Sequence, residues 1–371
     1  MIRPFTYQAL PMRVVFGPGS LAELPDEVDR LGLARVLVLC SPEQEATGKE
    51  VATALGEKAA GVLAEARMHV PIEVATRARD LARELGADGC VAVGGGSAVG
   101  LGKAIALEHG LPVIAVPTTY AGSEMTPVWG LTEGGQKRTG RDIRVLPKGV
   151  VYDPELTLSL PAQLSATSGM NAIAHAVEGL YAPDATPIIS LMAGEGTRAL
   201  AAALPRVVAD GTDLDARGEA QYGAWLCGAV LAATTMSLHH KLCHTLGGTL
   251  DLPHAQTHTV VLPHALAYNQ PAAPDAVAAL SRALGGVPDP ARELWELAGR
   301  LGAPRSLREL GMAEEDIPRI AELAVANPYS NPRPVTRDGI EALLWTAWTG
   351  APPARTAPAQ QTRPIERRSR T

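Results

Sequence analysis

Asn171 and His175 stand four residues apart in the stretch SGMNAIAHAVE, so on a helix they share one face. A carboxylate and an imidazole at that spacing would make half of a divalent-metal site, but an amide is a poor ligand. A second concentration of chemistry lies further along, where six of the nine histidines fall between His239 and His264. His240 and His244 are again four apart, and His254 opens a new apolar helical run after Leu252 and Pro253. A lone histidine of this kind is more often a hydrogen-bonded core residue than a reactive one. Several of them on helices point to an active site.

Phosphate chemistry sits earlier. In CVAVGGGSAVGLGKAIAL a buried strand ends in Gly94, Gly95, Gly96 and Ser97 and runs into a helix that carries Lys103. Glycines let backbone N–H groups approach a pyrophosphate, and a helix N-terminus favours an anion. The pattern departs from GxGxxG, because Val99 stands where the third glycine belongs, and a purely structural turn is the competing reading. The stretch VPTTYAGSEMTP also follows an apolar strand and offers Thr118, Thr119 and Ser123 at what would be the same edge of the sheet. Two polar turns on successive strand ends predict a dinucleotide crevice. Its adenosine end should meet Cys40 and Ser41, where RVLVLC stops without the acidic residue that rejects a 2′-phosphate, so both NADH and NADPH are expected to bind.

These residues need elements to hold them. Short β-branched runs at 35–40, 89–93 and 112–116 alternate with helical patterns at 43–56, 72–85 and 98–109, the form of βαβ units on a parallel sheet. Residues 128–132 and 144–146 flank a polar, turn-rich segment at 133–141 and predict an antiparallel excursion. After Pro161 the pattern is helical throughout, at 164–180, 188–209, 219–237, 276–284, 291–301, 314–326 and 337–348. The expected architecture is an α/β nucleotide-binding domain over 1–156 and an all-α domain over 157–350. A disordered Pro- and Arg-rich tail is expected over 351–371.

With 371 residues and 46% hydrophobic content the chain can bury a large core. No apolar run reaches a membrane-spanning length and no secretory leader is visible, so a cytoplasmic, membrane-independent protein is expected. The four cysteines show no CxxC spacing and read as buried thiols. Residues 351–371 carry +4 of charge, so the net −6 leaves −10 on the body, which argues against nucleic acid as a partner.

The run VVYDPELTLSLPAQLSATSGMNAIAHAVE resembles the signature of iron-dependent alcohol dehydrogenases. GGGS…K, PTT…GSE and the fourteen-residue step from His240 to His254 before LPH fit the same family, and the likeness covers nearly the whole chain. It implies the dehydroquinate synthase-like fold, a nucleotide domain followed by a helical domain with catalysis between them. In metal-dependent members an Asp, the His four residues later and two further His hold the metal. Carried over, those positions are Asn171, His175, His240 and His254, with His244 at an additional active-site histidine. Asn171 is the departure. Gly100, PTTYAGSEMTPVWGLTE, TGRDIRVLP, HHKLCHTLGG and NPYSNPRPV resemble one branch of the family, whose members use NADH or NADPH to reduce maleylacetate to 3-oxoadipate in bacterial breakdown of aromatics.

That chemistry would explain the amide. Hydride addition to an enone β to its ketone delocalises charge into an enolate, which hydrogen-bond donors can stabilise in place of a Lewis acid. A metal is then not required, and Asn171, His175, His240, His244 and His254 become donors and acids. The dicarboxylate substrate needs cations or donors, for which Lys241, Tyr120 and one of Arg138, Arg141 or Arg333 are candidates, and a homodimer is expected. The alternatives are a metal-dependent alcohol dehydrogenase using three histidines, a carbon–oxygen lyase that uses NAD catalytically, and a non-catalytic nucleotide sensor.

Overall fold

The computed structural model describes residues 4–134 and 136–354. Most of the tail expected over 351–371 lies outside them. The first half alternates β1 (Arg13–Phe16), α1 (Leu24–Arg30), β2 (Val36–Cys40), α2 (Glu45–Leu55), β3 (Ala59–Ala64), α3 (Ile72–Glu84), β4 (Gly89–Gly94), α4 (Gly96–His109) and β5 (Val113–Pro117). The hairpin β6 (Val128–Glu133) and β7 (Gln136–Arg141) and the strand β8 (Gly149–Tyr152) follow. The second half is helical: α5 (Ala162–Leu180), α6 (Pro187–Ala209), α7 (Leu214–Ala233), α8 (Leu238–Leu250), α9 (His254–Asn269), α10 (Pro274–Ala283), α11 (Pro290–Arg300), α12 (Ile317–Val325) and α13 (Arg337–Thr349).

Six strands form one parallel sheet in the order β1-β8-β5-β4-β2-β3. Helices cover both faces, so β2, β4 and β5 are buried along their whole length, which is why they read as unbroken apolar runs. One apolar cluster packs α3 and α4 on one face, and another packs α1 and α2 on the other. The antiparallel excursion exists, but its second strand is Gln136–Arg141. Residues 144–146, expected as that strand, lie in and just after a 3₁₀ turn opened by Asp142, whose carboxylate accepts from Arg144 N at 2.9 Å. The helix expected to run to residue 237 stops at Ala233, where Thr234 is extended and the chain turns to begin α8. Helices α5, α6 and α7 pack with α9, α10 and α11 around one core, and α8, α9, α12 and α13 form a second. No helix of the described residues is long and apolar enough to cross a membrane.

Candidate active site

Strand β4 ends at Gly94, whose φ of 142° suits only glycine, and Gly95 caps α4. A Cβ on Gly95 would lie 2.9 Å from Thr119 Oγ1, so the loop after β5 closes over a turn with no room for a side chain. Gly96 and Ser97 then open a helix of 14 residues. A turn of bare backbone at a helix N-terminus fits the pyrophosphate of a dinucleotide. Thr118 N donates to Gly94 O at 3.2 Å and Gln44 Nε2 donates to Thr118 Oγ1 at 2.7 Å, tying together the ends of β2, β4 and β5. Sequence reasoning misses Gln44, whose one signal is its place just past the end of a buried strand.

Three of the expected cofactor residues are placed otherwise. Cys40 is wholly buried beneath α2, where a Cβ on Gly48 would meet its Sγ at 2.6 Å, and burial raises its thiol pKa. Ser41, half-buried, remains at the strand end. Lys103 points away from the turn: its Nζ donates to Ser123 O at 2.6 Å, Thr126 Oγ1 at 2.9 Å and Val128 O at 2.9 Å. Burial lowers its pKa to about 7 against the pull of Glu124, and it clamps α4 to the start of the hairpin. Ser123 takes part in that clamp through its carbonyl and its hydroxyl. The same loop meets the helical half at Gly122, where added Cβ atoms on Gly122 and Gly228 would each reach the other residue's backbone at about 3 Å. His175 lies beside this contact, its Nε2 3.4 Å from Ala121 O.

On α5 the residues Asn171, His175 and Glu178 follow the i, i+4, i+7 spacing of one helix face. Glu178, wholly buried, ends the exposed backbone of the next helix: its Oε2 accepts from Ser237 N at 2.9 Å and its Oε1 from His239 N at 2.7 Å, capping α8. Oε2 also bonds His240 Nδ1 at 2.7 Å, and His240 Nε2 bonds His175 Nδ1 at 2.8 Å. With Glu178 ionised, this chain puts the protons on His240 Nδ1 and His175 Nδ1. Burial raises the Glu178 pKa, opposed by His239 and the three backbone N–H groups at the start of α8. Burial also lowers His175 and His240 well below the ordinary imidazole value, so both are neutral. Glu178 is absent from the sequence reading, although it ends the very stretch that carries Asn171.

Helices α8 and α9 each present two histidines one turn apart, and the four rings close on themselves. Centroids are 6.2 Å apart for His244 and His254, 4.3 Å for His254 and His258, 5.0 Å for His258 and His240, and 6.2 Å for His240 and His244. Exposure falls along the ring, from exposed His244 through half-buried His254 to buried His240 and His258. His239 packs beside His240 and His258 and donates from Nε2 to His258 O at 3.1 Å, and burial lowers its pKa to about 4. Asn171 is buried near one end of the α5 face with its Oδ1 unpartnered.

The expected substrate contacts fare unevenly. Tyr120 is fully buried, and its hydroxyl sits 3.4 Å from Nη1 of Arg217, a buried arginine that also donates to Ser165 Oγ at 2.7 Å and Leu160 O at 2.9 Å. The Tyr120 side chain is thus packed into the helical core beside Arg217. Arg138 is exposed and pairs with Glu133 at 3.7 Å across its own hairpin, and Arg141 donates to Ala232 O at the end of α7. Arg333 stacks on the Tyr268 ring and donates to Tyr268 O at 3.1 Å. Tyr268 is fourteen residues along α9 from His254, or roughly 21 Å at the helical rise. Arg333 is thus held against the C-terminal end of α9. Lys241 is half-buried, about 100° around α8 from His240, and makes no salt bridge among the described residues.

The residues at the four family positions do not fit a divalent ion as they are arranged. His175 Nδ1 and His240 Nε2 share a hydrogen bond at 2.8 Å, whereas two nitrogens on one tetrahedral ion stand ~3.3 Å apart. Asn171 adds no negative charge. Among the described residues, His239, His240 and His258 have ring nitrogens within 4.8 Å of one another. However, Glu178 occupies His240 Nδ1 and the His258 carbonyl occupies His239 Nε2.

A glycine turn at the edge of a parallel sheet, beside a helical half that carries the imidazoles, is the arrangement of an oxidoreductase. The family profile described as iron-containing alcohol dehydrogenase matches residues 11–154, and that for the C-terminal part of the Fe-containing alcohol dehydrogenase family matches 165–348. The chain belongs to the iron-containing alcohol dehydrogenase family. It is 60% identical over 349 residues to a maleylacetate reductase of Sphingobium indicum, covering 94% of this chain and 99% of that one. A maleylacetate reductase of Burkholderia cepacia is 58% identical over 350 residues, with the same two coverages. The crystal structure of maleylacetate reductase from Rhizobium superposes with a TM-score of 0.92 at 54% identity, over 95% of this chain and all of that one.

Proposed function

We propose that this chain reduces the conjugated carbon–carbon double bond of maleylacetate to give 3-oxoadipate, using NADH or NADPH and no metal. The observation that carries the reading is the 58–60% identity to maleylacetate reductases over nearly the full length, and the site chemistry agrees with it. The carboxylate of the metal-dependent members is an amide here, and the imidazoles around it hydrogen-bond to one another and to Glu178. A dinucleotide held by its pyrophosphate at the Gly94–Ser97 turn would supply the hydride from its nicotinamide.

The chain's own residues do the rest. The donors to the substrate oxygen on which charge develops are the Asn171 amide and those imidazole N–H groups not already committed, since the His175 and His240 protons are held in the chain to Glu178. Because these donors are already fixed and shielded from water, they act at low dielectric, and losing one such donor typically costs ~3 kcal/mol in the barrier. Hydride addition must be followed by a proton at the carbon next to the ketone, and the exposed His244 with half-buried His254 links the cluster to solvent for that supply. Lys241 is the remaining cation for a substrate carboxylate. We place the enzyme in the cytoplasm as a homodimer serving breakdown of hydroxylated or chlorinated aromatics. The test is loss of NADH absorbance with maleylacetate, before and after chelation. Equal rates are expected, whereas inactivation by chelation with recovery on adding Fe or Zn returns the chain to the metal-dependent reading.

A further inference from the structure

His258 is wholly buried, yet neither ring nitrogen has a hydrogen-bond partner among the described residues. Buried polar groups of native proteins are almost always paired, so a doubly unpaired imidazole calls for an explanation. Its position supplies one. His258 lies one turn below His254 on α9, at the deepest corner of the ring of four imidazoles, 4.3 Å from His254 and 5.0 Å from His240 between centroids. The other corners open progressively toward solvent, so a ligand entering past His244 and His254 would meet His258 at the floor. A carboxylate or enolate oxygen suits that place, because it accepts N–H bonds and a neutral His258 has one to give.

We propose that His258 is a substrate-contact residue, whose ring N–H binds an oxygen of the dicarboxylate at the floor of the imidazole ring. The proposal rests on maleylacetate reduction as the reaction. Sequence spacing carries a trace of it, since His258 repeats at i+4 from His254 as His244 does from His240.

The test compares the parent with His258→Leu and His258→Gln, with maleylacetate and NADH varied separately. His258→Leu should lower kcat/KM for maleylacetate at least thirtyfold while the KM for NADH stays within twofold, and its melting temperature should hold or rise because an unpaired polar group is gone. His258→Gln, which keeps an N–H donor, should recover to within about tenfold of the parent, with the residual defect in the KM for maleylacetate. A purely structural role would lower the melting temperature and would disturb both substrates. Should His258→Leu fail to fold, an unchanged KM for maleylacetate in His258→Gln overturns the proposal. It also falls if His258→Leu stays within threefold of the parent, or if that variant loses a stoichiometric metal that the parent holds. A parent that does not oxidise NADH with maleylacetate overturns the functional reading itself, an outcome distinct from active parent and active variant.

Discussion

Replacing His264 by Leu isolates one buried imidazole whose electrostatics have a single cause. His264 is buried in α9 with Nε2 unpartnered, and desolvation lowers its pKa from 6.5 to about 4. The folded value is the lower one, so between those pH values the unfolded chain holds a proton that the native protein lacks. The stabilisation is therefore fully present above about pH 6.5 and is lost as the pH falls through about 4. The interval corresponds to ~3 kcal/mol in all, most of it lost by pH 4.5, since one pKa step is worth ~1.4 kcal/mol. Near pH 7.5 the leucine should be neutral or mildly stabilising, because an apolar group of similar size replaces an unpaired polar one. Urea unfolding of parent and variant at intervals from pH 7.5 to 4.5 measures both ends. The two stabilities should diverge by about 2–3 kcal/mol in favour of His264→Leu over that range. Parallel curves would refute the reasoning and show that His264 is protonated or solvated in the native state.

Gly95→Ala brings a Cβ to 2.9 Å from Thr119 Oγ1, and the KM for NADH should rise by about tenfold, or ~1.4 kcal/mol, with little change in the melting temperature. An unaltered KM would remove the turn from the pyrophosphate site. NADH and NADPH should differ by less than about tenfold in kcat/KM, because β2 ends in Cys40 and Ser41. Discrimination above about a hundredfold would instead implicate Glu43 or Glu45, just past that strand end, as the group that repels a 2′-phosphate. Arg217→Met leaves Ser165 Oγ and Gly211 O without their donor and leaves Leu160 O with Ser165 alone, and should lower stability by ~2–4 kcal/mol in urea unfolding. A change below about 0.5 kcal/mol would mean that water replaces those bonds.

Sequence alone determined what periodicity encodes. The buried strands β2, β4 and β5 and most of the helices were legible because burial on both faces, or on one stripe, writes directly into residue order. Strand β3, AAGVLA, was not, since alanine and glycine carry no β preference and only pairing with β2 holds it. The family positions Asn171, His175, His240 and His254 were readable from spacing and resemblance. Which nitrogens face which partners was not, because that depends on α5 packing against α8 so that Glu178 both caps the second helix and bonds His240. The same limit explains Tyr120, Lys103 and Arg333. A sequence shows that a side chain can donate or carry charge, whereas only packing decides whether that capacity is spent within the protein, as with Arg217 on Tyr120 and Lys103 on the hairpin. His258 is the converse case, a residue whose spacing hinted at the cluster and whose unpaired burial only the folded helices revealed.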